Sequence, residues 1–378
     1  MAVTTTAALG DALRTIVGAE HVREGGAAVD GVVPRWSAAP ATIDQAAALV
    51  ALACDARLAV VPRGSGAALE LGHPPARVDL VLETRRLDGV LEYHPEDLTV
   101  SVQAGCTAGA LAARLAAHRQ LLPLDPPGWA ARSLGGIAAT QASGPLRQRY
   151  GGMRDLLLGV RFAQADGVLT WGGARVVKSV SGYDVPKLMV GALGTLGVLL
   201  ELTLRLHPAP DYEATWFASF PSPAHAQDCV AALLDSTVQP SRVELLDGRV
   251  LAACNLPVSA AALAISIGTV PGRLVDILGA VQAMLPGAAV AGAAGVGALR
   301  ALISHADAGA LLAPLERLRA TLAEVGGGVI VERAPRALRE RLDPWGPIPA
   351  PALEVMRAMK KEFDPRAILN PGRFVGGL

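Results

Sequence analysis

Between residues 40 and 66 the chain changes period. Ala46, Leu49, Val50 and Ala53 recur at helical spacing. Thr42 and Gln45, three residues apart, have the form of a capping box. Asp55 and Arg57 close this helix, and LAVVP (58–62) follows as a short buried strand. The strand runs into the turn Arg63-Gly64-Ser65-Gly66. Further strands are expected over VDLVLET (78–84), GVLEYH (89–94) and LTVSVQAG (98–105), the last alternating at period two. Thr107 can cap a helix in which Leu111 and Leu115 lie one turn apart. Arg161–Thr170 and Val198–Leu206 supply the last strands of this part. The pattern breaks at HPAPDYE (207–213), where prolines and polar residues mark a domain boundary. Beyond it the expected order is strand ATWFASF, helix AHAQDCVAALLDS, strands SRVELLD and ALAISIG, helix GRLVDILGAVQAML and strand AAVAGAA. A β-α-β-β-α-β order predicts a ferredoxin-like module. A helix over Ala308–Glu324, a strand GGVIVERA and a polar tail follow. The fold class is α+β. The expected division is 1–210 (halves of about 1–105 and 106–210), 211–300, and a C-terminal part, 301–378.

Small residues concentrate where the pattern lapses. Gly135, Gly136, Ala138, Ala139, Ala142, Ser143 and Gly144 fall within ten positions, which suits a backbone that approaches a flat ligand or packs closely on another element. The turn at 63–66 can aim several N–H groups at one spot, as a diphosphate requires. It is not the dinucleotide fingerprint, because position 69 holds Leu69 and no helical run follows directly. GGARVVKS (172–179) fails as a phosphate-binding P-loop, because Val177 stands where the second glycine belongs.

Composition narrows the picture. With 34 basic and 34 acidic residues, the chain carries no electrostatic footprint for nucleic acid or an anionic membrane. Charged residues make up 18% and apolar ones 51%, so extensive buried surface is expected. Cys54, Cys106, Cys229 and Cys254 have no metal-ligand or C-x-x-C spacing, which points to a reducing compartment and to no metal centre. MAVTTTAALGDALRTIV lacks a basic leader region, so no signal peptide is expected. The charge-free stretches Val250–Gly272 and Ile277–Leu299 are interrupted by Pro, Gly and polar residues and read as core, not as membrane spans.

Five blocks, in order, carry a resemblance: PRGSGAALELG (62–72), SLGGIAATQASG (133–144), RYG (149–151), GYDVPKLMVGALGTLGV (182–198) and FDPRAILNPGRF (363–374). Together they resemble the flavoproteins with a vanillyl-alcohol-oxidase-type, or PCMH-type, FAD-binding domain. Within that group the chain is most similar to the E-subunit family of bacterial glycolate oxidases (glycolate dehydrogenases). The resemblance implies two α/β subdomains around extended FAD, a ferredoxin-like cap, and a C-terminal segment returning to the flavin. It places Pro62, Arg63, Gly64, Ser65, Gly66, Ala67 and Ala68 at the pyrophosphate, with Pro126 nearby. Ser133, Gly135, Gly136, Ala139, Thr140, Ser143 and Gly144 would line the ring and phosphates, and Tyr150 and Gly151 would close that loop. Gly197, Val198, Asn370 and Arg373 would meet the flavin or adenine. The first turn offers no histidine, so noncovalent FAD is expected. Leu193 stands where hydroxy-acid-oxidising relatives carry Glu, which removes a charge near the cofactor.

Oxidising a 2-hydroxy acid at a flavin needs a base for the hydroxyl proton and a cation for the carboxylate. The H-x-G-D-G-N-type motif of hydroxy-acid-oxidising relatives is missing. His305-Ala306-Asp307-Ala308-Gly309 reads as a helix-capping Asp beside an ordinary His, and His94 as a turn residue. Lys178 and Arg373 are the candidate cations; a surface lysine and a tail salt bridge are the alternatives. Tyr183 and Asp184 read as a structural turn. The expected role is the FAD-binding subunit of a glycolate dehydrogenase, with a catalytic flavoprotein and an iron–sulfur subunit as partners. Its location would be cytoplasmic, with any membrane association made through those partners. The alternatives are a stand-alone 2-hydroxy-acid or alditol oxidoreductase, and a catalytically silent flavin-holding subunit.

Overall fold

The computed structural model describes residues 6–173, 184–248, 250, 262–304 and 307–378. Lys178, Tyr183 and His305 lie outside the described residues. The first sheet comprises β1 (Val22–Glu24), β2 (Trp36–Ala38), β3 (Val60–Arg63) and β4 (Leu80–Glu83) in the order β1-β2-β4-β3. β2, β4 and β3 run parallel, so β2 and β3 need a crossover, which the helix Ile43–Ala56 supplies. The Thr42 hydroxyl accepts the Gln45 N–H, while Gln45 Oε1 accepts the Ala41 N–H, one residue earlier than in the standard box. The helix stops at Arg57, which is left-handed at φ 54°. Its Ala46, Leu49, Val50 and Ala53 face Leu80 and Leu82 in one core.

The chain continues through β5 (Val90–His94), β6 (Thr99–Gln103), the short β7 (Gln120–Leu121), β8 (Leu157–Ala163), β9 (Leu169–Gly173), β10 (Val198–Arg205) and β11 (His207–Pro208). β5-β6-β10-β8-β9 form an antiparallel sheet, and β11 pairs with β7. β10 fastens the two halves together: Val198 and Leu200 enter the first core, while Leu199, Leu202 and Leu204 enter a second that contains Leu134 and Ile137. The strand at 98–105 therefore belongs to the second sheet. The boundary between the halves falls between β4 and β5, not at 105, because β6 pairs with β10 almost a hundred residues on and not with its chain neighbours in the first sheet.

The third sheet holds β12 (Glu244–Leu246), β13 (Leu263–Gly268), β14 (Ala289–Ala293), β15 (Ala298–Ile303) and β16 (Gly328–Arg333) in the order β12-β14-β15-β13-β16. The run β13, helix Leu274–Met284, β14, β15, helix Ala308–Ala323, β16 is a β-α-β-β-α-β unit. It starts at β13, not at ATWFASF, and takes strands from beyond residue 300. Residues 214–220 form no strand; Trp216 and Phe217 are 86% exposed. Both sides of β13 are already filled, by β15 and β16, and β12 occupies the edge beside β14.

From the helix Ala350–Phe363 the tail returns to the first sheet. Val60 donates to Ile368 O and Asn370 to Val60 O, docking the tail in parallel beside β3. The buried Lys360 ammonium donates to Thr195 O and Leu369 O, both at 2.9 Å, and pairs with Asp364 at 2.6 Å. Burial lowers the Lys360 pKa against the opposing effect of Asp364. Arg339, just past the third sheet, pairs through both guanidinium ends with Asp30, and both side chains are almost fully buried. Among the described residues no helix is long and apolar enough to cross a membrane.

Candidate functional site

Where the three chain segments meet, a cleft of about 540 Å³, counting its part open to solvent, separates the turn after β3 from the helix Leu134–Thr140. Pro62, Arg63, Gly64, Ser65, Gly66, Ala67, Ala68 and Leu69 form one wall, and Arg132, Ser133, Gly136, Ala139 and Thr140 the other. Leu193, Gly194 and, from the tail, Asn370 and Arg373 complete the lining.

The two walls touch through serines. Ser65 N–H donates to Ser133 Oγ (3.2 Å), and Ser133 N–H donates to Ser65 Oγ (3.3 Å). A Cβ on Gly64 would lie 2.0 Å from Ser133 Oγ, so only glycine lets the walls approach this closely. Among the described residues, the main-chain N–H groups of Gly66, Ala67 and Ala68 have no acceptor. Three unpaired donors on consecutive residues of a turn suit the oxygens of a diphosphate. Gly136 differs from Gly64: a Cβ there would meet only Ser133 Oγ, at 2.9 Å, so a larger side chain would stand in the cleft itself.

Arg373 is buried, and its guanidinium is committed. It donates to the carbonyls of Leu69, Leu71 and His73 and to Asn370 Oδ1. Burial draws its pKa down to about 10. Rather than offering a free cation to a carboxylate, it ties the tail to the turn after β3. Asn370 Nδ2 donates to Leu193 O at 2.6 Å, and Leu193 itself is left-handed at φ 51°. The tail and the glycine-spaced loop therefore fix each other at the cleft.

Other expected residues lie elsewhere. Gly135 packs on Ala104, whose Cβ would be 2.7 Å from a Gly135 Cβ. Gly144 lies against the Asp125 backbone beside the buried Pro126, and both Asp125 carboxylate oxygens accept the Leu146 N–H. Burial pushes the Asp125 carboxyl up. Gly151 turns the chain at φ 78° before Asp155, and Gly197 and Val198 pack into the core under β8. Tyr150 stacks edge-on against His207 (5.0 Å between centroids) in a separate open hollow. Ser143 is half-buried and is not among the cleft's lining residues. Asp184 caps the helix Val185–Met189 by accepting the Lys187 N–H, and Asp307 occupies the position before the helix Ala308–Ala323. Leu69, Arg132 and Gly194 line the cleft as well and were not among the expected site residues. Arg132 had one signal, as the single charge directly before the small-residue block.

Residues 34–173 match the family model "FAD binding domain". Residues 209–264 and 348–374 match the model "FAD linked oxidases, C-terminal domain". The chain carries an FAD-binding domain. The chemistry of the cleft suits this cofactor, with unpaired N–H donors on the turn and small residues on the facing wall. A zebrafish (Danio rerio) protein described as "Probable D-lactate dehydrogenase, mitochondrial" is 36% identical over 219 residues, 57% of this chain and 44% of that one. "Glycolate oxidase subunit GlcD" of Bacillus subtilis is 30% identical over 231 residues, 60% of this chain and 49% of that one. The chain thus spans about half the length of these relatives. An alkyldihydroxyacetonephosphate synthase structure shares the fold at TM-score 0.72 and 15% identity, covering 97% of this chain and 86% of the other.

Proposed function

We propose that this chain is the FAD-holding subunit of a 2-hydroxy-acid dehydrogenase, of the type of the glycolate oxidase E subunit. In that role glycolate is oxidised to glyoxylate, and electrons pass to an iron–sulfur partner beside a catalytic flavoprotein. The observation that carries the reading is the cleft: unpaired N–H donors, a wall of small residues and a tail that completes the lining, within a domain matched to FAD binding. Likeness to a D-lactate dehydrogenase and to a glycolate oxidase subunit supports the substrate class.

When bound, FAD supplies a two-electron acceptor for the C2 hydrogen of the hydroxy acid. The turn Arg63–Ala68 would hold its diphosphate, and Gly136 with Ala139 would admit its ring. Attachment would be noncovalent, since among the described residues lining the cleft none is a histidine or cysteine. One feature favours a flavin-holding role over solitary turnover: among the described residues lining the cleft, none is a histidine or carboxylate able to take the hydroxyl proton. A base supplied by a partner subunit would complete the reaction.

The test is activity of the purified chain with FAD, glycolate or D-lactate and an artificial electron acceptor, alone and then with its co-expressed neighbours. The reading requires a yellow chain that releases its flavin on acid precipitation and turns over with its partners. A folded, colourless chain that refuses added FAD contradicts it.

A further inference from the structure

The face of the third sheet turned away from its helices carries Leu246, Leu302, Ile330, several small side chains and the charges of Glu244, Arg300 and Glu332. On β15, Leu299, Ala301 and Ile303 enter the core shared with the helices, so Arg300 points the other way. Its neighbours across the sheet are Ala291 and Ser266, small enough to let it cross β13 and pair with Glu332 of β16. Arg132 lines the wall of the flavin cleft; burial lowers its pKa, Glu332 opposes that and Arg300 adds to it, so the charges of this pair act on Arg132.

Among the guanidiniums in and around the cleft, Arg63 on the diphosphate turn and Arg132 on the facing wall have no ion pair among the described residues, whereas two others are committed. Arg339 is satisfied by Asp30 and by carbonyls of Ala334, Glu70 and Gly72. Arg373 is satisfied by three carbonyls and Asn370. Arg132, half-buried, donates to the neutral Thr140 hydroxyl at 3.4 Å and has no ion pair within 4.0 Å among the described residues. A guanidinium has five donors, and a half-buried one with most of them unused awaits an anion.

We propose that Arg132, backed by the Arg300–Glu332 pair, forms the subsite that takes the carboxylate of the small 2-hydroxy acid. This rests on the function proposed above and deepens it. Two guanidiniums against one carboxylate leave a single positive charge, matching one carboxylate of substrate. A flavin phosphate shares that anion chemistry, but position favours the substrate. Thr140 ends the helix whose other end abuts Ser65 and the diphosphate turn, about 9 Å away at 1.5 Å per residue.

The test uses the full chain loaded with FAD and titrated with oxalate, a non-oxidisable mimic, while the flavin spectrum is followed; FAD affinity is measured separately. Arg132→Ala is expected to weaken oxalate about 10- to 100-fold with FAD affinity unchanged within about 2-fold. Arg132→Lys should recover part of the loss, and Arg132→Gln repeats the measurement if the alanine variant does not fold. Glu332→Gln frees Arg300 and should tighten oxalate about 3-fold, an effect a purely structural role would not give. Weakened FAD with unchanged oxalate would assign the guanidinium to the flavin phosphate and overturn the proposal. Wild-type protein that holds FAD but never responds to oxalate would overturn it too, while leaving the flavin reading intact.

Discussion

The two sides of the interdomain region are built from different materials. The diphosphate turn and the helix Leu134–Thr140 consist of backbone donors and residues with little side chain, and Gly64 and the paired serines hold them together. Arg132, at the start of that helix, and the Arg300–Glu332 pair of the third sheet are instead long charged side chains, drawn from positions up to two hundred residues apart. A surface made of backbone shapes itself around one rigid ligand. A surface made of charged side chains can be retuned by single substitutions. The difference implies that cofactor retention and substrate recognition are separable in this molecule.

The harshest way to break that separation is to unfasten the two sides. Asp30→Ala leaves the Arg339 guanidinium buried without its carboxylate and should cost about 3–5 kcal/mol in chemical unfolding. Both flavin and oxalate binding should then suffer together. Next, Gly136→Val fills the cleft, strikes no backbone but presses on Ser133 Oγ, and should weaken FAD at least about 100-fold at a stability cost of no more than about 2 kcal/mol. Its neighbour sharpens the contrast. Gly135→Val would clash with Ala104 and should lower stability by about 1–3 kcal/mol or more.

A gentler probe is pH. Burial, followed by Arg205, depresses the His207 pKa below its ordinary value. The unfolded chain therefore binds this proton at higher pH than the native state does. The stability it contributes is present above the ordinary histidine range and is lost as pH falls through that range toward the folded value. His207→Gln should flatten this part of the stability–pH curve. Smallest of all, Trp216→Ser and Phe217→Ser should change unfolding free energy by no more than about 0.5 kcal/mol, because neither side chain is packed.

The backbone-made side was the legible one. Caps such as Thr42 and Thr107 act within three residues, and the small-residue blocks announce close approach by their composition alone. The Asn370–Arg373 return was legible through resemblance, although Arg373 proved to be bound to carbonyls instead of free for a ligand. The charged side was hidden. Nothing local in Arg300 or Glu332 indicates that β13 lies between them or that both charges act on Arg132. ATWFASF misled because an aromatic, β-prone run makes a strand only when it joins a ladder, and here no described strand pairs with it. The same nonlocality moved the start of the ferredoxin-like unit to β13 and the division between the first two sheets to a point before β5.

The most direct measurement is an FAD titration of the purified chain followed by flavin fluorescence, run side by side with Gly136→Val. Saturable binding by the wild type, and its loss in a variant that remains folded and still unfolds in one cooperative transition, is the predicted result. Equal FAD binding by both proteins would contradict the placement of the flavin between the turn at Arg63–Ala68 and the helix Leu134–Thr140.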